Sequence, residues 1–407
     1  MWKHAHGMLL AGAFTVTTAL PALAWVSDDP PAKLTEMSED EQGGYIRVTS
    51  PRTGELLVDH NVEDQLEQRS PSFDLARSLL PAGFIVTQTP RFVIFSDADA
   101  AWTQAQAGNL ERTHLQFQRF CERLSLQPDA LQHRLVCILF HDRDRYRAFA
   151  AEHDNVHMRI GGYYSPKHDW VVFYHPESNP SIVQAREQLA EMKREVDGLA
   201  RTAERESARG SRNEAARVKS VLKVHREHYQ GELERVERFV HQTSVATTLH
   251  EATHLLLFHT GIQDRDVTYP MWISEGLATC FETDRPDHAF GPDYEYAVRR
   301  EGSDELLTKG ARIPVRSLVS LNMLSSDEEQ VGQAVYHQSY ALLMWMMRFR
   351  PEDLAAYLAL MQQQQPGWIN GDTQCALFEQ AFGPIEDLER AWLRHEASRQ
   401  VTMTPAT

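Results

Sequence analysis

The chain of 407 residues lacks the signatures of several common enzyme classes. It has no Gly-rich phosphate loop and no G-x-S-x-G segment, which argues against a P-loop nucleotide enzyme and against a serine hydrolase of the α/β type. It has only four cysteines, and none of them has the C-x-x-C spacing of a cysteine-based zinc site. The chemistry must therefore be sought in other residue types.

Positive charge is also in short supply. Lys and Arg number 41 against 57 Asp and Glu, which gives a formal net charge of -16. Nucleic acids and anionic membranes are bound by clustered Lys and Arg. We therefore expect no nucleic-acid partner and no anionic membrane surface as a partner. The length and the hydrophobic content of 42% are compatible with two to three compact units.

A long apolar run occurs only at the N-terminus, and it is short for a membrane span. A basic start, MWKHAHG, is followed by the apolar run MLLAGAFTVTTALPALA, which ends in Ala22-Leu23-Ala24. This pattern predicts a signal peptide over 1–24 that is cleaved after Ala24. The alternative, a membrane anchor, is disfavoured by the threonines and Pro21 within the run. We expect a secreted or periplasmic protein with no stable membrane insertion after cleavage.

Export would permit disulfides, but the sequence does not choose among the three connectivities of four cysteines. One prediction is a pair of disulfides, Cys121–Cys137 and Cys280–Cys375. Free buried thiols are the other.

Hydrophobic periodicity divides the rest of the chain into segments. Residues 25–88 form a mixed N-terminal region. Residues 89–180 read as an α/β block. Its elements are a strand at 92–95, a helix at 98–124, a strand in RLVCILF, and a hairpin formed by Tyr163-Tyr164 and Trp170–Tyr174. Residues 242–400 are mainly helical.

Between these segments, residues 181–241 are dense in Glu, Arg, Lys and Ala, with apolar residues at helical spacing. They predict a helical hairpin, 181–208 and 213–242, that is interrupted at Gly210-Ser211. Two interpretations remain open. The hairpin is either an arm that binds a protein partner or an insertion that folds on the core.

The stretch TTLHEATHLLLF, residues 247–258, carries the chemistry. On a helix over about 244–259, His250 and His254 lie one turn apart on the same face and can bind one zinc ion. Glu251, next to the first histidine, can reach a water bound by that metal. The 19 histidines of the chain raise the chance of an accidental match, so the motif needs a third ligand.

Glu275 in YPMWISEGLATCFE is that third ligand candidate. It lies in a predicted helix over 272–282 whose neighbouring positions are apolar. A buried carboxylate needs a partner, and a metal ion provides one. Two His and one Glu leave the fourth position of zinc open, as in catalytic sites.

HEATH, followed by WISEG with Glu275 placed 21 residues beyond His254, resembles the gluzincin (thermolysin-like, peptidase-MA-like) zinc metallopeptidases. The resemblance is strongest to poorly characterised secreted bacterial proteins with HEATH and WxSEGLA segments, and it covers about residues 90–395. It implies an α+β, zincin-like fold. This fold would have a small mixed sheet, an active-site helix, the helical hairpin as an insertion and a C-terminal helical lobe.

The resemblance also implies roles for individual residues. His250, His254 and Glu275 would bind Zn2+, and Glu251 would be the general base. Tyr336 would stabilise the oxyanion, with His337 as the alternative. Tyr340 lies in the same stretch.

The chain departs from the family at one position. Some gluzincins have an acidic residue four positions after the ligand glutamate, as a partner for a zinc histidine, but Thr279 stands there. Asp264 and Asp266 are candidates for the carboxylate that orients His250 or His254.

These patterns predict a secreted zinc metallopeptidase with a polypeptide substrate. Two other functions stay open. One is a non-catalytic envelope binding or scaffold protein that retains an idle zinc site and acts through the hairpin. The other is a zinc amidase that acts on cell-wall material.

Overall fold

The structure is a computed structural model, and it describes residues 70–156, 160–323 and 329–403. The predicted signal peptide and the predicted N-terminal region up to residue 69 lie outside these ranges. Within the described ranges, none of the helices has the length and apolar character needed to cross a membrane.

A mixed sheet of five strands forms the N-terminal part, in the order β1-β2-β3-β5-β4. The strands are β1 (Ile85–Gln88), β2 (Phe92–Ser96), β3 (Leu135–Phe140), β4 (Gly162–Ser165) and β5 (Trp170–Tyr174). β2, β3 and β5 are parallel, and the edge strands β1 and β4 are antiparallel to their neighbours. The parallel strands are apolar along almost their whole length because both faces of the sheet are covered.

Twelve helices lie within the described ranges. They are α1 (Pro71–Leu79), α2 (Ala100–Arg123), α3 (Arg143–Asp154), α4 (Pro180–Ala208), α5 (Arg212–His259), α6 (Met271–Thr279), α7 (Ala297–Thr308), α8 (Val315–Val319), α9 (Glu329–Phe349), α10 (Pro351–Gln362), α11 (Gly371–Phe382) and α12 (Ile385–Met403). The predicted α+β class and the predicted strands and first long helix are thereby confirmed. α1 and α3 cover one face of the sheet. α2, the end of α5 and the C-terminal helices share the larger core on the other face.

The predicted second hairpin helix and the predicted active-site helix are one element. α5 runs for 48 residues from Arg212 to His259 without a break near 242–244. Residues 242–244 are Gln-Thr-Ser, which a helix tolerates, so nothing there stops it. The chain reverses at Gly210, whose φ of +76° suits glycine.

α4 packs along α5 and, near its own N-terminus, on a short 3-10 turn at Pro176–Ser178. Farther out, Val196, Ala203 and Leu222 form an apolar cluster that is separate from the two sheet cores. We call residues 190–232 the arm. The arm carries its own small core.

The predicted disulfides are wrong. All four cysteines are free and buried. Cys121 and Cys137 both lie in the larger core as small apolar side chains. Burial raises the pKa of the Cys121 thiol to about 12, so this thiol is not reactive.

Candidate metal centre

His250, His254 and Glu275 converge in the core between α5 and α6. Nε2 of His250 lies 3.2 Å from Nε2 of His254 and 3.1 Å from Oε2 of Glu275. Nε2 of His254 lies 3.6 Å from the same oxygen. The sequence therefore predicted a set of three side chains that the fold brings together.

Local sequence explains how α5 and α6 hold these side chains. His250 and His254 share one face of α5, while Leu249, Leu255 and Leu256 anchor the helix in the core. α6 comes close to α9 at Gly276, where a Cβ would lie only 2.5 Å from Leu343. This glycine lets α6 pack tightly, which fixes the neighbouring Glu275.

The three ligand atoms suit a tetrahedral metal ion. With bonds of about 2.0–2.1 Å, a tetrahedral zinc separates its ligand atoms by roughly 3.3 Å, and the three separations here bracket that value. Two imidazoles and one carboxylate are also a donor set that zinc favours. The residues present therefore fit zinc.

The buried charges of the centre point to a dication as well. The centre contains three buried carboxylates, those of Glu251, Glu275 and Glu282. It also contains one buried guanidinium, that of Arg299. With neutral histidines this leaves an excess of two negative charges. Because uncompensated buried charge is costly, the centre favours a doubly charged cation.

The orienting partner of His250 is Glu282, so the prediction of Asp264 or Asp266 is wrong. Oε1 of Glu282 lies 2.9 Å from Nδ1 of His250. Asp264 instead accepts a hydrogen bond from the backbone N–H of Asp266 and shapes its own loop. Glu282 follows Glu275 by seven positions, beyond the end of α6, so the four-residue spacing of the family gave no hint of it.

Arg299 completes this chain of contacts. Its guanidinium on α7 donates to both oxygens of Glu282, over 2.6 and 2.7 Å. Burial alone would raise the pKa of Glu282, but Arg299 and His250 outweigh burial and lower the pKa. Sequence patterns gave no signal for Arg299, because an arginine on a helix normally indicates a solvated face.

The ligands shift one another's pKa values when they meet without a metal. Burial lowers the pKa of His250, but Glu275 and Glu282 more than compensate and raise the pKa to about 10. Burial would raise the pKa of Glu275, and the two histidines bring it well below its usual range. A metal ion binds the neutral form of a histidine imidazole. Nδ1 of His254 is buried and has no hydrogen-bond partner among the described residues.

Glu251 lies between α5 and the edge of the sheet. Its Oε2 accepts a hydrogen bond of 2.9 Å from the backbone N–H of Tyr164 in β4. Burial raises the pKa of Glu251, although the two histidines act against burial.

The structure separates the two candidates for oxyanion stabilisation. Tyr336 on α9 reaches the centre, where its ring lies 6.0 Å from that of His250 and 5.3 Å from the Arg299 guanidinium. Burial and the neighbouring Glu275 carboxylate raise the pKa of Tyr336 well above its usual value. His337 points elsewhere and packs against Gly302 of α7. The hydroxyl of Tyr340 accepts from the backbone N–H of Tyr296, 2.7 Å away, and is structural.

The centre is closed to solvent. None of its five main residues is more than 5% exposed; they are His250, His254, Glu251, Glu275 and Tyr336.

Comparison with known proteins yields one match. Residues 244–367 match the model of a family described as "Protein of unknown function (DUF1570)". The match spans less than a third of the chain and contains the ligands, Glu251, Glu282, Arg299 and Tyr336, but neither the sheet nor the arm. No curated protein and no solved structure matches the chain.

Proposed function

We propose that this protein is a zinc-dependent peptidase of the gluzincin type. The observation that carries the proposal is the triangle of Nε2 of His250, Nε2 of His254 and Oε2 of Glu275, with Glu251 next to it. Two His and one Glu would hold the ion and leave a coordination position for a reactant.

The protein groups around this position suit the hydrolysis of an amide. A bound zinc ion would supply Lewis-acid chemistry, lowering the pKa of water and polarising a carbonyl. Glu251 is held through one oxygen by Tyr164, and its other oxygen can take a proton from the attacking water and pass it to the leaving amine. Tyr336 keeps its proton at neutral pH, so it can donate a hydrogen bond to the developing oxyanion.

The polypeptide substrate is inferred from the resemblance of the HEATH and WISEG segments to zinc metallopeptidases. β4 is the last strand of the sheet, and its Tyr164 N–H points away from β5 towards Glu251.

The first experiment is metal analysis of the purified protein with two variants. We expect one zinc per chain in the wild type, and loss or strong weakening of zinc binding in Glu275→Ala. Glu251→Gln should keep its zinc and lose the cleavage of a peptide library. Absence of zinc in the wild type after reconstitution would overturn the proposal.

A non-catalytic protein with an idle zinc site is the second candidate, and the burial of the centre favours it. It predicts zinc binding without turnover of peptides or peptidoglycan. It also predicts loss of a partner when 181–241 is deleted.

We also propose that residues 1–24 direct export to the periplasm or the medium. The composition of this segment supports the proposal. N-terminal sequencing of the protein recovered after expression should begin at Trp25, and an intact Met1 would refute cleavage.

A further inference from the structure

The end of the arm carries charge of the opposite sign to the rest of the chain. Residues 201–226 contain eight Lys and Arg against three Glu, a formal charge of +5, whereas the whole chain is at -16. A local reversal of this kind creates a positive field that attracts anionic groups.

A groove of about 660 Å3 lies between α4 and α5 at this end of the arm. Its floor consists of small or apolar side chains, and Ala200, Ala203 and Leu222 belong to it. One wall presents Lys219, Lys223 and Arg226, which are exposed and spaced at i, i+4 and i+7 on one face of α5.

The charges of this wall are only partly compensated. The ammonium of Lys223 lies 3.8 Å from Glu227, and Glu204 lines the opposite side. Lys219 and Arg226 make no ion pair with any residue of the described ranges. The groove thus offers an apolar floor beside a basic wall, which suits an acidic peptide segment.

We propose that the occupant is the acidic segment 28–41 of the same chain. DDPPAKLTEMSEDE contains six Asp and Glu and one Lys, a formal charge of -5 against the +5 of residues 201–226. Four of these acids fall within 36–41. Leu34 and Met37 provide apolar side chains for the floor.

The connecting chain is long enough for this docking. Residues 42–69 number 28 and can span up to about 90 Å when extended. α4, with its 29 residues, is about 44 Å long. Each exposed ion pair contributes little alone, so the docking depends on several pairs acting together and on the tether.

The docked segment would not fill the metal centre. Arg226 and His250 are separated by about 36 Å along α5, at 1.5 Å per residue. Zinc content should therefore be unchanged when the docking is abolished, which makes this proposal testable apart from the proposed peptidase function.

Zero-length carbodiimide cross-linking of the full chain, mapped by mass spectrometry, tests the proposal. We expect isopeptide bonds from Lys219 or Lys223 to the carboxylates of 36–41 at low salt. Their yield should fall severalfold at about 0.5 M NaCl because salt screens exposed charges. Lys193 on the arm and Lys309, which follows the end of α7, are exposed control lysines and should give no such products.

A second measurement uses neutralised variants and hydrogen exchange of the arm. One variant neutralises four acids of the segment, by Glu36→Gln, Glu39→Gln, Asp40→Asn and Glu41→Gln. We expect amide hydrogen exchange in residues 201–226 to be severalfold faster in this variant than in the wild type. The matched control removes four acids outside the segment, by Asp59→Asn, Glu63→Gln, Asp64→Asn and Glu67→Gln, and should leave that exchange unchanged.

Several results would overturn the proposal. One is the absence of any cross-link from Lys219 or Lys223 to 36–41. A second is a cross-link yield at Lys193 and Lys309 that equals the yield at Lys219 and Lys223. Another is cross-links only between chains of different isotope label, which would assign the contact to a second copy. Binding to phosphatidylglycerol vesicles without the intrachain cross-link would assign the basic wall to a membrane surface instead.

Discussion

Glu282 holds Nδ1 of His250 across 2.9 Å, although 32 residues separate the two along the chain. This contact fixes which ring nitrogen of His250 faces Glu275 and His254. Partners of this kind orient a metal-binding histidine and raise its basicity.

Glu282→Gln should therefore weaken zinc binding by about 10-fold to 100-fold, because the amide is uncharged and orients His250 less well. Competition with a chromophoric chelator measures the affinity. Glu305→Gln, which removes an exposed carboxylate of α7, is the control and should leave the affinity unchanged. Equal affinities of the two variants would show that Glu282 does not support the metal.

The Arg299–Glu282 pair should be strongly coupled in stability. Arg299→Met alone should lower the free energy of unfolding by about 3–5 kcal/mol, because it removes the guanidinium from the buried Glu282 carboxylate and leaves it only the contact with His250. The double variant with Glu282→Leu should lose less than the sum of the two single changes. Urea unfolding in the presence of a chelator gives the four values. Strict additivity would contradict the pairing.

Tyr336→Phe should lower peptide turnover by about 10^2-fold to 10^3-fold and leave zinc content unchanged. The reason is that the phenol would donate a hydrogen bond to the charge that develops during the reaction. His337→Gln is the matched control, since His337 packs on Gly302 away from the centre. A larger loss of turnover in His337→Gln than in Tyr336→Phe would reverse the assignment.

Asp154 joins α3 to the β4–β5 hairpin, and its removal should destabilise the fold. Its carboxylate accepts from the hydroxyl of Tyr163 over 2.7 Å and from the indole of Trp170 over 3.1 Å, and it pairs with His168 over 2.8 Å. Asp154→Asn should cost about 1–3 kcal/mol at pH 7. Asp144→Asn on the same helix should change stability by less than about 0.5 kcal/mol.

The pH dependence of the Asp154 effect has a definite sign. Burial would raise the pKa of Asp154, but the hydrogen bonds from His168, Ser165 and Tyr163 outweigh burial and lower the pKa. Its stabilisation is therefore complete above the unfolded pKa of about 3.9 and is lost as the pH falls through the lower folded value. The gap between wild type and Asp154→Asn should be constant near neutrality and narrow below about pH 4. A gap that widens in acid would contradict this.

Two glycine substitutions should have opposite effects. At Gly162 a Cβ would lie 2.3 Å from the Phe173 ring and 3.0 Å from Thr247, so Gly162→Ala should cost about 1–3 kcal/mol. At Gly231 in α5 a Cβ meets open space, so Gly231→Ala should stabilise by about 0.5–1 kcal/mol. Thermal unfolding of both variants measures the difference. Equal effects would show that β4 is not packed closely on α5.

Much of the candidate site could be predicted because its signals are local. The i, i+4 spacing of His250 and His254 depends only on helix geometry. Glu275 was recognisable as a carboxylate among apolar neighbours. The strands from β2 to β5 were recognisable because buried strands are apolar runs bounded by turns.

The errors came from features that depend on distant contacts. The expected helix end near residue 242 was wrong because a change of burial along a helix does not interrupt its hydrogen bonds. Of the two alternatives for the cysteines, free buried thiols are confirmed, because a disulfide needs a specific distance and orientation that the sequence does not give.

The sequence by itself determined that His250, Glu251 and His254 share a helix and that Glu275 is buried on another one. Helical periodicity and the cost of burying a carboxylate are sufficient for both. Only the tertiary structure decided that Glu282 and Arg299 support His250, that Tyr336 and not His337 faces the centre, and that the centre is closed. These relations depend on how α6, α7 and α9 pack against α5, and packing is set by the shape and charge of whole surfaces that no local spacing encodes.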